Sequence, residues 1–106
     1  MRGIRHVVVA LSLLPGISAG DASAPPAKVR ALCQNCHGED GVAVIAGAAN
    51  LSGQQKEYLV RQLRDYRSGK RPSEQMGIIS KPLTDGEIES LANWYSAIKV
   101  TVEVPK

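Results

Sequence analysis

Aromatic residues are scarce in this chain of 106 residues, which contains three Tyr, one Trp and no Phe. A domain of this size buries only a limited surface, and alanine supplies many of its apolar side chains. The side chains alone therefore make a sparse core. The composition predicts that a bulky apolar group completes it, as small folds commonly need a supplement to their core.

Cysteine and histidine are equally few, with two of each in the sequence. A structural zinc site takes about four Cys or His ligands, and one of the histidines, His6, lies in a segment that we expect to be removed. A thioredoxin-like pair needs a βαβ context, and no strand pattern precedes Cys33. Zinc, a redox pair and a plain disulfide are thus the less well supported alternatives for these cysteines.

Long apolar runs are missing as well. The longest, residues 7–14, is well short of the roughly 20 residues that span a bilayer. It follows a basic segment, 1–6, and precedes small residues, 15–20, which is the pattern of a secretory signal peptide. We expect residues 1–20 to be cleaved beside Gly20 and the mature chain to be periplasmic. An uncleaved anchor is the alternative.

Charge of one sign does not dominate the chain. Removal of Arg2 and Arg5 with the signal peptide leaves 11 of the 13 basic residues against 10 acidic ones. The mature protein is therefore close to neutral. It lacks the basic surface on which nucleic-acid binding depends.

What the sequence does contain is the run Cys33-Gln34-Asn35-Cys36-His37. Two thiols three residues apart, followed at once by an imidazole, form the attachment pattern of a c-type haem. The spacing puts both sulfurs on one helical face, where each can form a thioether with one haem vinyl group. His37 is then delivered to the iron as an axial ligand. The bulky apolar group that the core needs is thereby identified as a haem.

Helical periodicity predicts about three main helices in the mature chain. The first begins near Pro25 or Pro26 and ends at the cysteine motif. The second is predicted over residues 53–68, and the third begins after Thr84. Their apolar positions recur at helical spacing: Val29, Leu32, Cys33 and Cys36 in the first, Leu59, Leu63 and Tyr66 in the second, and Ile88, Leu91, Ala92 and Tyr95 in the third.

The ends of these helices have recognisable signals. Ser52 with Gln55, and Thr84 with Glu87, match the capping box, and Gly69 is a typical C-terminal stop. Residues 70–83 read as an irregular segment, and the alternating tail from Val100 reads as an extended arm or a frayed terminus.

Met76 is the only methionine that remains after signal removal. It lies far enough beyond His37 to reach the opposite face of a haem. A thioether there would close the iron to exogenous ligands and raise the reduction potential. The alternative is an ordinary gap-filling core methionine.

These features together resemble the class I c-type cytochromes, the small soluble monohaem type of bacterial periplasms. The resemblance covers nearly the whole mature chain. It implies a small all-α cytochrome c fold whose first and last helices cross near one haem edge, with His37 and Met76 as axial ligands. Beyond the attachment motif it rests on Gly38, Asp40-Gly41, Leu51-Ser52-Gly53-Gln54, Tyr58-Leu59, Gln62-Leu63, Gly69, Arg71, Met76, Leu83-Thr84, Glu87-Ile88 and Leu91-Ala92-x-x-Tyr95.

One position departs from the family. Ala49 stands where the family usually has a proline whose carbonyl accepts a hydrogen bond from the ligand histidine. Alanine keeps that carbonyl, so Ala49 is still expected to orient His37. Arg71, and less strongly Trp94 or Tyr58, are candidates to contact a haem propionate.

The sequence thus predicts a signal peptide at 1–20, a cytochrome c domain at 21–99 and an extended tail at 100–106. The function we infer is that of a periplasmic monohaem electron carrier, not an enzyme. It would act as a monomer on redox protein partners, without nucleic acid or a transmembrane span. Two alternatives remain: a haem c subunit held permanently in a larger oxidoreductase, or a ligand-binding or catalytic haem protein if Met76 does not bind iron.

Overall fold

The computed structural model describes residues 3–4, 7–16 and 24–106. Within these residues the regular structure is entirely helical, which confirms the all-α prediction. The predicted cleavage beside Gly20 lies outside the described residues, as does part of the basic segment before it. Helix α1 covers residues 27–37 and includes the π-helical turn Val29–Cys33 and the α-helical turn Gln34–His37. Helix α2 covers Lys56–Ser68, α3 covers Glu74–Ser80 and α4 covers Asp85–Ala97.

Helix α2 begins later than predicted, because the expected capping box at Ser52 does not form. The residue that precedes the helix is Gln55, and no side chain caps its first turn. The Ser52 hydroxyl donates instead to the carbonyl of Asp40, and Gly53 adopts a φ of 67° that interrupts a helix. The predicted end is confirmed, since Gly69 has the left-handed φ of 82° typical of a C-terminal cap.

Helix α3 corrects the prediction of an irregular segment at 70–83 and makes a fourth helix. The Ser73 hydroxyl caps it by accepting a hydrogen bond from the Met76 N–H at 3.1 Å. Pro72 precedes the cap and Pro82 follows the helix. The helix is only seven residues long, so its periodicity is too brief to stand out between two prolines.

Helix α4 has the predicted capping box. The Thr84 hydroxyl accepts from the Glu87 N–H, and the Glu87 carboxylate accepts from the Thr84 N–H, both at 3.1 Å. Lys28 of α1 lies 3.5 Å from the Glu87 carboxylate. The first and last helices are therefore in contact, and the buried core is centred where they meet α2. Its members are Val29, Leu59, Val60, Leu83, Ile88, Leu91, Ala92 and Tyr95.

Two aromatic side chains of α4 hold the loop that follows α1. The Tyr95 hydroxyl donates to the Gly38 carbonyl at 2.9 Å, and the Trp94 indole N–H donates to the Glu39 carbonyl at 2.8 Å. Burial raises the pKa of the Tyr95 phenol well above its usual range, so the hydroxyl remains a donor. The loop after the cysteine motif is thus fixed by the last helix.

The tail at 100–106 contains no helix or strand and is exposed. Val100 nevertheless packs over Gly53, where an added Cβ would lie 2.9 Å from a Val100 methyl. None of the helices in the described ranges has the length and apolar character to cross a membrane.

A buried hydroxyl generates a stability prediction. Ser80 on α3 is fully buried, and its Oγ has no hydrogen-bond partner among the described residues. Ser80→Ala removes an unsatisfied polar group and improves helix propensity, so we expect the free energy of unfolding of the holoprotein to rise by about 1 kcal/mol. Chemical denaturation measures it.

The matched control is Ser90→Ala, an exposed serine on α4, which should change stability by less than about 0.5 kcal/mol. Equal effects at the two serines, or a loss of stability at Ser80, would contradict the prediction.

Candidate functional site

A cleft lies between α1, α2, α3 and the loop before α2. It consists of two adjoining parts, which enclose about 840 Å³ and about 1120 Å³ of space open to solvent. We call the two parts together the central cleft. Six residues line both of them: Cys33, His37, Ala49, Tyr66, Arg71 and Met76.

The walls of the central cleft are mainly apolar. Helix α2 contributes Leu59 and Leu63, and α4 contributes Leu91, Ala92 and Tyr95. Four of these five side chains also belong to the buried core, and Leu63 packs against it. A bulky apolar group seated here would extend the core directly, as the scarcity of aromatic residues predicts.

His37 ends α1, and its ring is oriented by the backbone. Its Nδ1 lies 2.7 Å from the Ala49 carbonyl oxygen. A carbonyl oxygen only accepts, so Nδ1 carries the proton and, in the neutral ring, Nε2 keeps a free lone pair. This is the tautomer that a metal-ligating histidine requires, with its other nitrogen bonded to an acceptor. The predicted contact between His37 and Ala49 is confirmed.

The loop that carries the Ala49 carbonyl is held in place by hydrogen bonds. The Gly41 carbonyl accepts from Leu51 N–H at 2.7 Å and from Ser52 N–H at 3.3 Å. Gly41 has a φ of 77°, and a Cβ there would lie 2.5 Å from the Ser52 nitrogen. Only glycine therefore permits this closure. The Asn50 side chain adds a further hold, because it accepts from Ala43 N–H at 2.8 Å.

The two cysteines are both free thiols and half-buried. Cys33 lines both parts of the central cleft and Cys36 lines one. Burial raises the pKa of the Cys33 thiol, and the neighbouring Cys36 adds to the rise. Two thiols beside His37 are the chemical set that thioether formation with a divinyl macrocycle requires.

Met76 reaches the central cleft from α3. Its side chain is half-buried, and it lines both parts of the cleft together with His37. The structure thus brings together all four predicted site residues. The sequence reading missed the helix that carries Met76, although Ser73 at the N-cap position was a usable signal.

Arg71 contributes a positive charge to the wall of the central cleft. Its guanidinium donates to the Gln62 side-chain oxygen at 2.8 Å and lies 4.7 Å from the centre of the Tyr66 ring. Tyr58 also lines the cleft. Trp94 does not line it, and its N–H donates to the Glu39 carbonyl, which favours Arg71 and Tyr58 over Trp94 as propionate contacts.

Comparisons with known proteins give a consistent set of relatives. No protein-family model matches the chain. Cytochrome c4 of Thiocapsa roseopersicina is 40% identical over 77 residues, which cover 73% of this chain and 40% of that protein. The thiosulfate dehydrogenase electron acceptor of Thiomonas intermedia is 35% identical over 100 residues, covering 93% of this chain and 45% of that protein. The chain spans about half the length of these curated relatives, or somewhat less.

A shorter relative is matched along almost its entire length. Cytochrome c-554(548) of Halomonas halodenitrificans is 34% identical over 82 residues, which cover 74% of this chain and 98% of that protein. Among solved structures, cytochrome c4 of Acidithiobacillus ferrooxidans superposes with a TM-score of 0.59 at 30% identity, covering 62% of this chain and 38% of that chain.

The departure at Ala49 generates a prediction. No hydrogen bond from the Ala49 N–H is found within the described residues, so proline there removes no donor that is in use. Ala49→Pro restricts the unfolded chain and should raise the free energy of unfolding by about 0.4–1 kcal/mol. Denaturation of the holoprotein, monitored by far-ultraviolet circular dichroism, gives the value.

Ala48→Pro is the matched control, because the Ala48 N–H donates to the Ile45 carbonyl at 3.4 Å and proline would abolish that bond. We expect it to be destabilising. The prediction fails if the two prolines have the same effect, or if Ala49→Pro lowers stability.

Proposed function

The chain belongs to the class I c-type cytochromes and is similar to cytochrome c4, and from this premise we propose that it is a periplasmic carrier of single electrons. As a member of this family it takes one covalently bound haem c. The observation that carries the proposal is that His37 and Met76 line the same cleft, beside two free thiols. The bound haem would supply one-electron chemistry, with iron alternating between the ferric and ferrous states.

Cys33 and Cys36 would hold the haem covalently. Each thiol would form one thioether with a haem vinyl group, an addition in which the sulfur and the thiol hydrogen are both retained. No oxidant or reductant is consumed. Two attachments on adjacent turns of α1 then leave His37 little freedom except to approach the iron.

His37 and Met76 would be the axial ligands. The Ala49 carbonyl fixes the ring of His37 through Nδ1 and increases the basicity of Nε2. The Ser73 cap holds the first turn of α3 and so positions Met76. With both ligands supplied by the chain, no position would be left for a substrate, and the same two residues would serve both oxidation states. This arrangement suits outer-sphere electron transfer and argues against a haem enzyme.

The mouth of the cleft indicates what kind of partner would dock. Among the described residues that line it, Arg71 is the only one with a full charge, and none is acidic. Its second part is bordered by small and apolar residues at 45–48 and by Ile79. A redox protein would therefore meet a largely uncharged face in a brief, small contact. We expect weak dependence of its association rate on ionic strength.

Export to the periplasm forms part of the same proposal. It rests on the pattern of residues 1–20, which is that of a signal peptide. Residues 7–16 form no helix or strand, and their apolar side chains are exposed. The core described above begins at Val29, so cleavage near Gly20 leaves it intact.

A permanent haem subunit of a larger oxidoreductase is the second candidate. The observation that favours it is the length of the relatives, since the chain matches less than half of a protein named as the electron acceptor of thiosulfate dehydrogenase. In such proteins the matched region is joined to further chain. Gel filtration of the native protein separates the two candidates: a carrier elutes as a small monomer, and a subunit elutes with its partner.

Carbon monoxide binding tests whether Met76 closes the iron. Reduced wild-type protein at neutral pH should bind carbon monoxide slowly if at all, because its sixth position is filled. Met76→Ala should bind it rapidly and have a lower reduction potential, since the thioether that favours ferrous iron is lost. Optical spectroscopy after mixing with the gas measures the rates.

Ile79→Ala is the control, because Ile79 also lies on α3 and lines the same cleft. This variant should bind carbon monoxide as slowly as the wild-type protein and keep its reduction potential. Rapid binding by the wild-type protein would exclude the carrier and favour a ligand-binding or catalytic haem protein.

A further inference from the structure

The helical turn that leads into the cysteine motif is wound more widely than an α-helix. Val29–Cys33 is π-helical, and the N–H of Gln34 is shared between the carbonyls of Leu32 and Val29, the second of which lies five residues earlier. An α-helical bond from Gln34 would go to Arg30 instead. The normal spacing returns at once, since the Gly38 N–H donates to the Gln34 carbonyl at 3.1 Å. The wide turn is thus confined to the entry of the motif.

In an α-helix the Arg30 carbonyl would accept from the Gln34 N–H, which here is directed to Val29 instead. The side chain of Gln34 occupies the missing position, because its Nε2 donates to the Arg30 carbonyl oxygen at 2.7 Å. Gln34 therefore makes two hydrogen bonds that close the turn. Its backbone N–H donates to the Val29 carbonyl, and its side-chain amide donates to the Arg30 carbonyl.

The winding of this turn decides which way the cysteines point. Val29 is fully buried in the core, so it fixes the start of the turn. In an α-helix each residue advances by about 100° around the axis. A turn closed over five residues advances less per residue, so Cys33, Cys36 and His37 are all rotated backwards relative to Val29. Single-turn π-helical segments of this kind are common at functional sites.

Gln34 itself does not line the central cleft. It borders a separate surface depression with Gly38 and Trp94. Its effect on the cofactor must therefore pass through the backbone, which makes it a positioning residue. We propose that the side-chain amide of Gln34 holds the wide turn open and thereby sets the rotation at which Cys33 and Cys36 meet the two haem vinyl groups. This inference rests on the proposed function, because it concerns attachment of the same haem.

The test compares three variants produced with the haem-attachment machinery of a bacterial host. Gln34→Met keeps the length of the side chain and removes the donor. Gln34→Lys restores a donor, and Asn35→Met makes the same kind of change at the exposed neighbouring position of the motif. Mass spectrometry of the whole chain and the α-band of the pyridine haemochrome count the thioether bonds. The ¹³C shift of the Arg30 carbonyl reports its hydrogen bond.

We expect Gln34→Met to lower the ratio of doubly attached to incompletely attached chains about fivefold, the change that follows from losing one hydrogen bond. Gln34→Lys should restore both the ratio and the Arg30 carbonyl shift, and Asn35→Met should match the wild type. Equal attachment in Gln34→Met and Asn35→Met would overturn the proposal, as would failure of lysine to restore it. If the wild-type chain carries no covalent haem, the proposed function fails too, so the two failures are distinguishable.

Discussion

The hydrogen bond from His37 to the Ala49 carbonyl is the contact on which the site depends. It fixes the tautomer of the ring and leaves Nε2 for a metal. To supply that carbonyl, the chain after α1 must turn back on itself, which requires Gly41 beside Ser52. Helix α4 then holds the start of the same loop through Tyr95 and Trp94. The orientation of His37 therefore depends on how the helices pack in this fold.

The central cleft also accounts for the sparse core. Side chains of α2 and α4 that belong to the buried core also line the cleft. The cofactor in such a family is part of the core as well as the redox centre, which explains how a chain without Phe maintains a folded domain. Haem binding and the stability of the fold then depend largely on the same contacts.

Residue types and spacing in the sequence single out the candidate site residues, whereas several details of the local structure differ from those predicted. The cysteine motif and Met76 are identified by residue type and spacing alone, and the contact to Ala49 follows from the family pattern. The two capping boxes had opposite outcomes: Thr84 forms one, whereas Ser52 bonds to Asp40 in another loop, a partner no local pattern indicates. Helix α3 was missed because seven residues between prolines give too little periodicity. The wide turn before Gln34 is defined by a backbone bond to Val29 that no residue pattern in the sequence indicates.

Absorption spectroscopy of the holoprotein tests the central claim most directly. The claim is that His37 and Met76 hold one covalently attached haem iron between them. It predicts a six-coordinate low-spin spectrum in both oxidation states, and in the oxidised state a weak far-red band that arises from sulfur coordination to ferric iron. That band should vanish on reduction. A high-spin oxidised spectrum, or a low-spin one without the sulfur band, would contradict the account.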